Sequence, residues 1–141
     1  MTLPVAIIDS LAFGGNGVCR IDGKVCFVPF SCPGDEVSLR MTSQKKSYST
    51  ASISEIIHPS PSRTVPVCAL FGECGGCSWQ HISYPAQLEH KRKILTETLW
   101  RGARVPSDLI DDVVAASSRY GYRNRLQFKV SARDGKLRIG F

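Results

Sequence analysis

Turn-forming residues cut the first 57 residues into short pieces, and that rhythm limits the available folds more than any other feature. Val5–Ser10 is an apolar-rich run, and Leu11–Gly17 ("LAFGGNG") is a glycine-rich turn. Val18–Arg20 and Lys24–Pro29 flank Asp22-Gly23, a dipeptide that suits a two-residue hairpin because both residues tolerate positive φ. Cys32-Pro33-Gly34-Asp35 marks another turn, Glu36–Ser43 alternates in part, and Tyr48–Ile57 reads as one more strand. About five short strands with no helical period predict a small, closed or nearly closed OB-like β-barrel over residues 1–57, because closure leaves no unpaired edge.

Three prolines and three hydroxyl residues in His58–Pro66 ("HPSPSRTVP") mark a linker, 58–66, after the barrel. Pro85–Trp100 predicts a helix: proline is tolerated in the first turn, Leu88, Leu95 and Leu99 form an apolar stripe for packing, and Gly102 is a natural stop. Ile110–Ala115 is ambiguous between strand and helix. Tyr120–Ser131 alternates apolar Leu126, Phe128 and Val130 with polar Gln127, Lys129 and Ser131, which predicts a strand. Asp134-Gly135 then turns the chain into a returning strand, Lys136–Phe141. The predicted class is therefore mainly β with one helix (α+β). A strand that stops at the chain end reads as the edge of an unfinished sheet, as in a truncated protein.

Six cysteines are many for 141 residues. No secretory signal accompanies them, so metal ligation or buried thiols are better starting ideas than disulfides. Cys68, Cys74 and Cys77 stand in a C-x5-C-x2-C pattern with Gly75-Gly76 between the last two, a spacing that suits zinc or an iron–sulfur cluster. Three ligands complete neither. His81 would make a Cys3His zinc site, and a cysteine outside these residues would complete a four-iron cluster. Cys19, Cys26 and Cys32 lie among hydrophobic strands and read as buried thiols. The alternatives for the triplet are a redox pair at Cys74 and Cys77 or inert core thiols.

Charge is uneven. Residues 1–57 carry five basic and five acidic side chains, whereas 58–141 carry thirteen and seven. From Arg119 onward there are seven basic residues and one acidic, Asp134. Within that stretch, Tyr122 and Phe128 interleave with Arg123, Arg125 and Lys129. Guanidinium groups grip phosphate and aromatic faces stack on unpaired bases, so these five residues are the candidate RNA contacts. The competing interpretation is a sheet with an aromatic core face and a wet basic face. No apolar stretch is long enough to span a membrane as a helix. No Ser/His/Asp set, paired carboxylates or phosphate-binding glycine loop is present, so no catalytic residue is assigned.

Three passages together carry a resemblance: "IIDSLAFGGNGVCRIDGKVCFVPFSCPGDEV", "SPSRTVPVCALFGECGGCSWQHISYPAQLEHK" and "YGYRNRLQFKV" with the final "IGF". The chain resembles the N-terminal part of bacterial RNA (uracil-5-)-methyltransferases with a TRAM domain and an iron–sulfur cluster, of the ribosomal RNA type. The resemblance implies a TRAM barrel at 1–57, a cluster segment at 67–82, and a helix plus the start of a central β-rich RNA-binding domain at 83–141. It further implies that Cys68, Cys74 and Cys77 are three ligands to a [4Fe–4S] cluster, with the fourth past Phe141. The family makes 5-methyluridine in structured RNA, using S-adenosylmethionine bound in a C-terminal domain that also carries the catalytic cysteine. The expected whole protein is thus a cytoplasmic enzyme acting on ribosomal RNA, 23S above tRNA, with no membrane and no obligate protein partner. These 141 residues are expected to bind RNA without methylating it. The zinc-stabilised RNA-binding module is the alternative from a different class.

Overall fold

The computed structural model describes residues 3–140, the Arg133 side chain excepted. Six strands build the main sheet: β1 (Val5–Ile7), β2 (Ser10–Leu11), β3 (Gly17–Ile21), β4 (Lys24–Val28), β5 (Glu36–Gln44) and β6 (Tyr48–His58). Asp22 and Gly23 at φ 51° and 76° make the hairpin turn that their chemistry predicted, and Cys19 faces Cys26 across it. β5 and β6 form a long antiparallel pair with three register irregularities, which curl the sheet. β4 pairs with β6 in parallel through Val25, Cys26 and Phe27.

The sheet is not a barrel. Its order runs β1-β5-β6-β4-β3-β2 and stops, with no ladder returning from β2 to β1. The run read as one strand, Val5–Ser10, breaks at Ile8-Asp9. β1 spends its bonds on β5, the Ile8 N–H donates to the Asp35 carbonyl (2.9 Å), the Asp9 N–H turns to Val18 (2.8 Å), and β2 pairs with β3. The two outer strands are therefore linked by chain, not by a ladder. The predicted mixed β architecture with one helix holds; the closed OB-like barrel does not.

Two apolar clusters hold the chain together. Ile8, Cys19, Cys26, Val28, Val37, Leu39 and Ala51 form the buried core of the sheet. Leu11, Cys32, Ile82 and Ala86, with Trp79 and Ile94 against them, join the sheet to the residues that follow it. Helix α1 (Tyr84–Ala103) contributes Ala86 and Ile94 to that second cluster, with Pro85 in its first turn. The leucine stripe is not fully packed, for Leu95 is 48% exposed. Gly102 does not stop the helix. Arg104 takes the left-handed conformation instead, and the Arg104 and Val105 N–H groups cap the Trp100 and Leu99 carbonyls.

Beyond α1 lie a 3-10 turn at Ser107–Leu109 and then irregular chain. Ile110–Ala115 is neither strand nor helix, although Ile110 is buried. Of the predicted strand at Tyr120–Ser131, only the end is realised, as β7 (Lys129–Arg133) paired with β8 (Lys136–Gly140) around Asp134-Gly135. Phe141, the predicted end of that strand, lies outside the described residues.

Candidate nucleic-acid interface

Asp35 organises the junction between the sheet and the cysteine segment. Its turn closes through its own N–H to the Cys32 carbonyl (2.9 Å), which leaves the carboxylate fully buried. One oxygen accepts from the Ser60 N–H (2.9 Å) and Arg63 Nε (3.0 Å); the other accepts from the Cys32 N–H (2.7 Å) and Arg63 Nη2 (2.7 Å). Arg63 Nη2 also donates to the Phe30 carbonyl at 2.9 Å. The stretch read as a linker, 58–66, is thus latched to the sheet. Burial pushes the Asp35 pKa up, but the bonds from Arg63, Ser60 and Cys32 outweigh it and hold the carboxyl below its ordinary 3.8.

His81 sits behind this latch, 2% exposed. Its Nε2–H donates to the Ser31 carbonyl at 3.0 Å, and its ring lies 5.4 Å from Phe71 and 6.5 Å from Phe30. Its backbone carbonyl accepts from the Thr64 N–H (2.9 Å). Burial lowers its pKa, against a smaller opposing effect of the Ser31 bond, so the ring is neutral at pH 7. Gln80 likewise faces protein: its Oε1 accepts from the Cys68 N–H at 3.2 Å.

Tight turns shape the cysteine loop. Phe71 bonds back to Cys68 (3.1 Å), while Glu73 and Cys74 bond back to Leu70 (3.1 and 2.9 Å). Cys68 and Cys77 point to solvent, and Cys74 is half-buried with its sulfur accepting from the Gly76 N–H at 3.4 Å. Cys19, Cys26 and Cys32 are fully buried thiols, as their hydrophobic surroundings predicted. Burial first, then the facing Cys26, pushes the Cys19 thiol up to about 12.

Trp79 joins the loop to the glycine-rich turn, a contact that sequence reading missed. Its indole N–H donates to the Gly15 carbonyl at 2.9 Å. A Cβ on Gly15 would stand 2.9 Å from that nitrogen and 3.3 Å from Ser78 Cβ, and Gly15 lies at φ 95°. The glycine pair in "FGGNG" is the only signal that pointed here.

The candidate RNA contacts lie on irregular, exposed chain. Arg123 and Arg125 do not share a strand face, because residues 120–128 form no strand. Arg123 Nη2 donates to the Gly76 carbonyl at 3.3 Å, and its guanidinium lies 5.8 Å from the Tyr122 ring centre. Tyr122 is 65% and Phe128 54% exposed, so neither is core. Arg125 and Lys129 are exposed. Arg119 covers the Tyr84 ring at 4.8 Å, and the Tyr84 hydroxyl accepts from the Ala116 N–H at 2.7 Å, which fastens this segment to the start of α1. In the basic turn His90–Lys93, Arg92 is committed to the Ile110 carbonyl at 2.7 Å.

Residues 5–62 match the family described as tRNA (uracil(54)-C(5))-methyltransferase, TRAM domain. Nearly the whole chain, 99%, aligns at 39% identity with the 23S rRNA (uracil(1939)-C(5))-methyltransferase RlmD of Aromatoleum aromaticum, of which it covers 32%. The chain is thus similar to TRAM-bearing RNA uracil-methyltransferases over nearly its whole length. An uncharacterized RNA methyltransferase of Porphyromonas gingivalis is 40% identical over 88% of this chain and 27% of that protein. A solved structure, the Pyrococcus abyssi tRNA (uracil-54, C5)-methyltransferase with S-adenosyl-L-homocysteine, gives TM-score 0.46 at 33% identity, covering 67% of this chain and 21% of that one. The chain spans about a third of the length of the curated relatives it matches.

The resemblance had implied a [4Fe–4S] cluster at Cys68, Cys74 and Cys77. The structure overturns that expectation: among the described residues no three or more His, Cys, Asp or Glu side chains gather as a metal site. The spacing produced turns, but these are closed by backbone bonds and by Phe71 packing on His81, and two of the three cysteines face water. The Cys3His zinc site fails for the same reason and because the His81 Nε2–H is committed to Ser31. No helix among the described residues is long and apolar enough to cross a membrane.

Proposed function

We propose that these residues grip structured RNA, 23S ribosomal RNA in particular, for an S-adenosylmethionine-dependent enzyme that forms 5-methyluridine. The observation that carries this is the pairing of relatives named for 23S rRNA methylation with an exposed, aromatic-bearing basic segment. Phosphate contact falls to Arg123, Arg125 and Lys129, and base stacking to Tyr122 and Phe128. The division of labour is a TRAM sheet over 1–57, an Asp35-latched connection over 58–66, a cysteine loop over 67–82, and a helix plus β7–β8 over 83–141. All six cysteines are unpaired, which supports a reducing, cytoplasmic setting. Methyl transfer itself needs a cofactor pocket and nucleophile that no residue here is assigned to supply. The 141-residue chain is therefore expected to bind RNA and to transfer no label from S-adenosylmethionine.

A second reading has one observation in its favour: the family matching residues 5–62 is described for tRNA uracil 54. Competition binding separates the two. A 23S rRNA fragment spanning uracil 1939, the position in the relatives' names, should displace tRNA from the chain. Preference for tRNA would select the second reading.

A further inference from the structure

The geometry points to Phe13 as a stacking platform for an unpaired RNA base, an inference that rests on the RNA-binding reading above. Phe13 is 89% exposed, more than any other aromatic side chain among the described residues. Leu11, two residues earlier, is buried in the second apolar cluster, so the chain had an adjacent core and did not turn the ring into it. The loop that carries Phe13 is closed by its own backbone bonds and fastened at Gly15. Ala12 donates to Asn16 at 2.8 Å and Gly15 donates to Ala12 at 3.0 Å. The Trp79 indole clamps Gly15, and Gly14 and Gly15 both adopt positive φ, 94° and 95°. A ring held out by so constrained a loop loses little conformational freedom when a planar ligand stacks on it.

The surroundings favour a nucleobase over a protein surface. Phe13 stands between Ala12 and the small or polar residues Gly14, Gly15 and Asn16, so its own turn offers little further apolar surface of the kind a protein partner buries. Ser78 lies two residues from Gly76, whose carbonyl holds Arg123 beside exposed Tyr122. The short loop 76–79 therefore touches both the turn that carries Phe13, through Trp79 and Gly15, and the Arg123–Tyr122 pair, through Gly76. Such a combination of π-faces and phosphate-binding groups tracks single-stranded RNA.

The test measures affinity of the 141-residue chain for a stem–loop RNA spanning uracil 1939, with Phe13→Ala, Phe13→Leu and Phe13→Trp beside the wild type. Phe13→Ala and Phe13→Leu should weaken binding by about fivefold to a hundredfold, with an unchanged salt slope, while Phe13→Trp should stay within about twofold of wild type. An exposed ring adds little to the core, so matching melting temperatures should accompany these losses. Wild-type affinity in Phe13→Ala, or full affinity in Phe13→Leu, would overturn the platform and leave the RNA-binding reading standing. Absence of RNA binding by the wild type would overturn both.

Discussion

Asp35 and Arg63 hold the cysteine segment against the sheet, and removing either leaves an uncompensated buried charge. Arg63→Ala should cost about 3–5 kcal/mol, read as a loss of chemical-denaturation stability. An equal melting curve for this variant would show that the latch is dispensable. The same groups set an acid limit. The carboxyl of Asp35 is held below 3.8, so its stabilisation is full above that value and is lost as pH falls through the lower folded value. His81 is held below 6.5, so the stability of its neutral form is full above 6.5 and is lost as pH falls through its folded value; His90, also pushed down by burial, acts in the same direction. Melting temperature should therefore fall in two stages between pH 8 and 3, with the upper stage reduced in His81→Gln. Cysteine reactivity divides as sharply: Cys68 and Cys77 should label with a thiol reagent in the folded chain, and Cys19, Cys26 and Cys32 only on unfolding. Protection of Cys68 and Cys77 in the folded chain would contradict the open cysteine loop.

At the scale of elements, local chemistry was legible and partnership was not. Asp22-Gly23 and Asp134-Gly135 announce their hairpins because positive φ at both turn residues is a property of the dipeptide. The alternation of Leu126, Phe128 and Val130 announces a strand equally well, yet a strand exists only where a partner offers hydrogen bonds, and β8 reaches back only to Lys129. Gly102 looked like a helix stop, but the helix runs on to Ala103 and ends at left-handed Arg104, where the N–H groups of Arg104 and Val105 cap the carbonyls of Trp100 and Leu99. The β7–β8 hairpin pairs with no other strand among the described residues, and its apolar Val130, Leu137 and Ile139 are each more than 60% exposed. An isolated two-stranded hairpin is marginal in water. Hydrogen exchange should accordingly be fast at the amides of 129–140 and slow in β3–β6. Equal protection in both would contradict an unsupported hairpin.

For the whole molecule, the sequence revealed the composition of the site better than its assembly. Cysteine spacing suggested a metal site, but spacing says nothing of where sulfurs point, and the site dissolved once Phe71, His81 and the backbone bonds were in place. Sheet closure was misread because one apolar run, Val5–Ser10, gave no sign that it would split at Ile8 and pair first with β5 and then with β3. The charge asymmetry needed no geometry to be seen, and it supports the central claim that the chain is an RNA grip. The most direct measurement is the affinity of the 141-residue chain for a 23S rRNA fragment spanning uracil 1939, followed from about 50 to 200 mM salt. The account predicts that log affinity falls linearly with log salt and that replacing Arg123 and Arg125 together makes the slope shallower. Binding that ignores salt, or no binding at any salt, would contradict it.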